Sequence, residues 1–225
     1  WMEIFGWERP QYFGIPEDHS FRRSNAFEIV GQECRNVREN VGIADLTAFT
    51  KIEVTGKDAS SLLDRLSANK LPSNVGGIRL THMLTPLGGI ECEMTITQLD
   101  PERFYLNSSI MGELHDLDWL KQHVGEDEEV SIRDVTDDMA ILAISGPSAR
   151  DLLQPLTAVD LSNDSFPWLT GQEIEIADVS CIALRVSYVG ELGWELHHPI
   201  DQMINLYTAL IDSGATYNLS HYGSY

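Results

Sequence analysis

Between Ser24 and Val41 apolar residues recur at spacings of three and four, so that Phe27, Val30, Cys34, Val37 and Val41 form one stripe. That period predicts an amphipathic helix, and Ser24 is a residue type that opens one. The period then changes to two. KIEVTG (51–56) alternates as a strand does, Asp58 is placed as a helix cap, and Leu62, Leu63 and Leu66 predict a short helix running through Asn69. Strands are predicted at 78–84, 90–99 and 104–107, with turns at 85–89 and 100–103, the pattern of an antiparallel meander. In the second of these strands Glu91, Glu93, Thr95 and Thr97 share one face, and Ile90, Cys92, Met94 and Ile96 the other.

The remaining chain predicts a helix over 111–124, strands near 130–135 and 139–144, and a helix over 148–154 opened by Gly146 and Pro147. A last amphipathic helix over 200–213 turns Met203, Leu206, Leu210 and Ile211 inward. Residues 1–23 are aromatic and irregular, and Trp7, Tyr12 and Phe13 are expected to anchor a connecting arm rather than hold a cofactor. Residues 24–225 then read as an α+β domain of antiparallel sheets with packed helices.

Composition narrows the function classes. A chain of 225 residues that is 43% hydrophobic buries a proper core, and no apolar run approaches the ~20 residues of a membrane helix. Thirty-five acids against 15 bases give a net charge of −20, which argues against nucleic acid and anionic membranes as partners. Cys34, Cys92 and Cys181 are scattered and odd in number, which indicates neither a disulfide framework nor a zinc site and fits a reducing compartment. The expected location is cytoplasmic, or the mitochondrial matrix if the source is eukaryotic. His115, Asp116 and Asp118 do not share a helix face, so no metal is predicted. Gly88-Gly89 lacks the spacing of a dinucleotide-binding loop, so no FAD site is expected within this chain. WMEIFGWERP has none of the zones of a signal peptide, and its leading tryptophan suggests a start inside a longer protein.

Chemistry concentrates in SYVGELGWELHH, 187–198. The run CIALRVSY (181–188) predicts a buried strand, which Gly190 and Gly193 end, presenting Tyr188, Glu191, Trp194 and Glu195 around a turn. A carboxylate accepts two parallel N–H bonds from an amidine-like edge, such as a guanidinium or a 2-amino-4-oxopterin, while Tyr188 and Trp194 supply ring faces. The alternative is an ordinary hairpin with solvated glutamates.

The pattern Tyr188, Gly190, Glu191, Gly193 and Glu195 resembles the Y-x-G-E-x-G-x-E signature of the aminomethyltransferase family of tetrahydrofolate-dependent proteins, which includes the glycine-cleavage T protein. GGIECEMTITQL (88–99) is similar to that family's G-G-x-x-x-D segment, and SGPSARDLL (145–153) to its strand-to-helix turn. GWERPQYF, HDLDWL and FPWLTGQEI look like the folate-binding region of dimethylglycine and sarcosine dehydrogenases. The resemblance covers nearly the whole chain. It implies the aminomethyltransferase folate-binding fold, with two intertwined lobes across 24–225. It also implies one-carbon transfer, of an aminomethyl or methylene group, to tetrahydrofolate, with folate and an amine-oxidising flavoprotein domain or subunit as partners.

On the same basis Glu195 grips the pterin with Tyr188 and Glu191 beside it, and Glu93 acts on the reacting folate nitrogen. Met83, Leu84, Tyr105 and Asn107 are implied to line the slot. Were the polar face of the 90–99 strand to line a cavity, Glu93 would be desolvated there; an exposed face is the alternative. Arg79 and Arg185 read as structural, and neither is assigned to the site. Two departures stand out. Glu93 replaces the family's aspartate and is one methylene longer, and the chain stops at Tyr225, where the family continues into an arginine-bearing helix and a barrel domain. Part of the site is therefore expected to lie outside this chain. A folate-dependent demethylase of a sulfonium or methoxyl compound, a non-catalytic folate-binding module and an incomplete fragment remain as alternatives.

Overall fold

The computed structural model describes residues 1–18 and 21–225. Its first elements are β1 (Met2–Ile4), β2 (Trp7–Arg9), α1 (Ala26–Glu39), β3 (Val41–Asp45), β4 (Thr50–Thr55) and α2 (Ala59–Leu66). Next come β5 (Ile78–Leu84), β6 (Ile90–Asp100), β7 (Arg103–Ser108), α3 (Glu113–Gln122), β8 (Ser131–Asp134), β9 (Met139–Ser145) and α4 (Ala149–Leu153). The last are β10 (Gly171–Ile176), β11 (Val179–Leu184), β12 (Gly193–Pro199), α5 (Met203–Gly214) and β13 (Leu219–His221). They divide into two compact units: 1–47 with 140–168 and 174–225, and 48–139 with 169–173.

The first unit is built on a six-stranded sheet ordered β10-β11-β12-β9-β3-β13. β11 and β12 pair antiparallel, as do β3 and β9, whereas β13 runs parallel to β3. One face of the sheet carries Ile43, Ile144, Ala183, Trp194 and Leu196 into a core closed by Leu152 of α4 and by Leu206 and Leu210 of α5. Each fully buried leucine or isoleucine contributes roughly 1.5–3 kcal/mol over its exposed state. The amino-terminal segment forms a hairpin, β1 with β2, turning at Phe5 and Gly6, where an irregular arm was expected. Beyond it Tyr12 stacks on Tyr225, and Phe13 tilts against His221 at 4.8 Å.

The second unit holds a five-stranded antiparallel sheet ordered β5-β6-β7-β4-β8. Its meander matches the sequence expectation closely. Met83, Cys92, Met94, Ile96, Phe104 and Leu106 pack with Ala59 and Leu63 of α2 and Leu120 of α3. The opposite face carries the polar set, and register fixes its pairs: His82 faces Glu93, Thr95 faces Asn107 and Thr97 faces Tyr105.

Several local expectations change. α1 begins under a Ser24 hydroxyl that accepts the Ala26 N–H, but it ends at Glu39, and Val41 opens the unforeseen strand β3. Phe27 lies in the open beneath the Arg23 guanidinium rather than in the core, a cation–π contact that spares it burial. Asp58 precedes α2 without capping it, because its carboxylate accepts the Glu129 N–H instead. β11 stops at Leu184, four residues short of Tyr188, and β10 and β13 were not foreseen.

Candidate functional site

In the first unit the conspicuous dodecapeptide divides into a loop and a strand. Trp194 and Glu195, expected on a turn, lie in β12 and point to opposite faces of the sheet. Trp194 is 1% exposed, meets Phe166 edge-on at 6.0 Å, and lies under the guanidinium groups of Arg150 and Arg185. It is a core residue and leaves the ligand-stacking set. Arg185 is structural as well: it donates to the Phe166 carbonyl and, at 2.7 Å, to Asn163 Oδ1. Its pKa is lowered by burial first and by Arg150 second.

Glu195 sits on the face away from this core. Its Oε2 is 3.3 Å from Nε2 of the fully buried His197. The Tyr222 hydroxyl donates to Ser145 Oγ at 3.3 Å; burial pushes its pKa up, the Ser145 bond opposes that shift, and the Glu195 charge adds to it. The Glu195 carboxylate is thus half-buried beside His197, on the sheet face opposite Trp194. Tyr188 is 95% exposed at the loop tip, and Glu191 is drawn off to Arg38 of α1, Oε1 to Nη1 3.4 Å. The loop is closed at its base by the Gly146 N–H donating to the Leu192 carbonyl.

In the second unit Glu93 and His82 face each other across β6 and β5, Oε2 to Nε2 2.5 Å. The Glu93 side chain is 59% exposed, so the cavity burial considered for it is not present. Asn107 shares this polar face. Its amide nitrogen and oxygen are both shut from solvent and both lack a hydrogen-bond partner. Tyr105 is buried two residues away, and the wholly buried Lys51 pairs with Asn107 across β4 and β7, its ammonium donating to the Phe49 carbonyl. Met83 was expected to press on the ligand but belongs to the helix-facing core, on the opposite face from Glu93, because side chains alternate along β5. Leu84, beyond a bulge in the β5–β6 pairing, is 41% exposed and free to meet a ligand.

His82 was not picked out as a site residue: a turn over 85–89 by itself pairs His82 with Cys92, and it is the bulge between Met83 and Leu84, unmarked in the sequence, that sets His82 opposite Glu93. His115 bridges Asp116 (3.0 Å) and Glu91 (2.9 Å), which ties α3 to β6 and raises the imidazole pKa. Among the described residues there is no group of histidine, cysteine and acidic side chains that could hold a metal, and no helix long and apolar enough to cross a membrane. Burial pushes the Cys92 thiol up to about 12, with nearby Asp116 adding to the shift.

The fold is of the aminomethyltransferase type. The chain superposes on the glycine cleavage system aminomethyltransferase T of Bartonella henselae with a TM-score of 0.80 at 22% identity, over 99% of this chain and 55% of that one. The family model described as the GCVT N-terminal domain matches residues 1–225, and the chain belongs to that family. It is 40% identical over 226 residues to the mitochondrial dimethylglycine dehydrogenase of Rattus norvegicus, covering 98% of this chain and 26% of that protein. It is 31% identical to the mitochondrial pyruvate dehydrogenase phosphatase regulatory subunit of Mus musculus, over 100% of this chain and 27% of that protein. The chain spans about a quarter of the length of these curated relatives.

Proposed function

We propose that the chain is the folate-binding part of a protein that transfers a one-carbon unit to tetrahydrofolate, working with an amine-oxidising flavoprotein domain or subunit. The observation that carries this reading is Asn107: a sheltered amide with neither atom bonded, on the same sheet face as Glu93. Leaving such groups unpaired costs about 1–3 kcal/mol each, and a ligand offering both a donor and an acceptor offsets that cost. Tetrahydrofolate has such groups, and when bound it supplies the secondary amine nitrogens that accept the carbon.

The residues have separable tasks. Glu195 accepts the parallel N–H groups of the aminopterin edge, a charge-assisted bidentate contact. In the first unit Tyr188 offers a ring face from the loop beside Glu195; in the second unit, taken by itself, Tyr105, Asn107 and Leu84 are the ligand-contacting candidates on the sheet. Glu191, bound to Arg38, contributes to loop shape more than to the ligand. Glu93 holds the proton of the reacting amine at a carboxylate oxygen. The flavin is assigned to the partner. The rat relative is named as mitochondrial, which favours the mitochondrial matrix for a eukaryotic source, with the cytoplasm for a bacterial one.

The name of the dimethylglycine dehydrogenase relative favours an N-methyl amine over a sulfonium or methoxyl compound as the carbon source. The relative named as a regulatory subunit supports a second reading, a folate-binding module without turnover. Anaerobic calorimetric titration with tetrahydrofolate tests the proposal. Binding by the wild-type chain, weakened by about 1–3 kcal/mol in Glu195→Gln, is the expected result. Unchanged affinity in the variant removes Glu195 from the site, and absence of binding by the wild-type chain overturns the reading.

A further inference from the structure

We infer that His82 is a positioning residue for Glu93, and that the two side chains act as one unit in the transfer; this rests on the folate reading above. A glutamate has one more rotatable bond than an aspartate, and a carboxylate 59% exposed at a strand surface has no packing to choose among its rotamers. His82 supplies the missing constraint. It stands directly across the ladder from Glu93, and its Nε2 meets Oε2 at 2.5 Å, so that one carboxylate oxygen is tied down and the other is left for an amine. An exposed polar contact of this kind contributes little to stability, so its use lies in geometry. On the same strand face Leu80, which is given no task in the site, is apolar and exposed.

Both side chains reach solvent, so substitutions there leave the fold intact. In the ligand-free chain, the Glu93 side-chain order measured by ¹³C relaxation is expected to fall in His82→Ala and to recover in His82→Gln, whose amide still donates to the carboxylate. The chemical readout is capture of formaldehyde by tetrahydrofolate in the presence of the chain: the formaldehyde carbon bonds to the two amine nitrogens, and its oxygen leaves with their two protons as water. His82→Ala is expected to lower kcat about tenfold or more while leaving the tetrahydrofolate Kd within about twofold, and His82→Gln to restore most of the rate. Glu93→Asp, too short to reach His82, is expected to lose a similar factor, and the double variant no more than either single one. Unchanged Glu93 order, or rate losses that multiply in the double variant, overturns the role of His82 alone. No tetrahydrofolate binding, or binding without acceleration of capture, overturns the transfer reading and this role with it, and that failure shows in the wild-type chain before any variant is made.

Discussion

A β-carbon on Gly193 would stand 2.6 Å from the Ile144 carbonyl oxygen and 3.1 Å from Ser145 Oγ, whereas one on Gly190 would meet nothing within 4 Å. Gly190 has φ +83° and is there for its backbone conformation; Gly193 is there so that β12 can lie close to β9. The distinction is testable with one residue type, because asparagine tolerates the left-handed region and still has a β-carbon. Gly190→Asn is expected to shift urea stability by under about 1 kcal/mol, and Gly193→Asn to cost roughly 1–3 kcal/mol by overpacking against a backbone that cannot yield. Equal losses would mean that close approach is not what Gly193 provides. The consequence reaches function, since Glu195 takes its position from the same strand, two residues on.

At the scale of elements, α3 is joined to β6 by His115, whose pKa is raised above 6.5 by its bond to Asp116 first, opposed by burial, with the bond to Glu91 and the charges of both carboxylates adding to the rise. A group held above its unfolded value lends its full support below that unfolded value and loses it as pH rises through the folded one. His115 is half exposed, so screening limits the contribution to about 0–1 kcal/mol. In urea titrations the stability gap between wild type and His115→Gln is therefore expected to be wider at about pH 5.5 than at about pH 9. A gap that widens with pH would refute the clamp. His198, whose pKa is lowered by burial, acts in the opposite direction but is common to both proteins and cancels. The elements themselves were read unevenly. The meander β5–β7 was legible because alternation, a turn rich in proline and glycine and a polar face all coincide there. β3 was hidden in the tail of a helical stripe, because Val41 satisfies both periods at once. The start of β12 was read as a turn because Gly190, in the loop before it, and Gly193 together suggested one, although Gly193 serves packing. Of the candidate site, alternation placed Glu93 on the polar face of its own strand, whereas the sharing of that face by Tyr105 and Asn107 came only with the β6–β7 register. Met83 misled because adjacency in a strand means opposite faces, and Trp194 because an aromatic beside a carboxylate looks the same in sequence whether it stacks on a ligand or fills a core.

For the whole molecule the governing quantity is the net charge of −20, since 35 acids face only 15 bases. Some bases are held in local pairs, Arg65 with Glu128 at 2.7 Å and Arg103 with both Glu53 and Glu173, and the excess of acids leaves most carboxylates repelling one another through solvent. Salt shortens the range of that repulsion to about 10 Å at 0.1 M, while close pairs are screened less. The melting temperature is therefore expected to rise between about 0.01 and 0.3 M NaCl, equally in KCl, because the effect is screening and not ion binding. Under the proposed folate reading the same field would act on tetrahydrofolate, an anion through its glutamate tail. Its association rate in stopped flow should increase over that salt range, while dissociation changes less, since long-range charge acts on encounter and short-range bonds on release. A rate that instead falls with salt would show a local positive field strong enough to reverse the molecule's overall charge at the point of entry, and would direct the search to the arginines nearest the ligand.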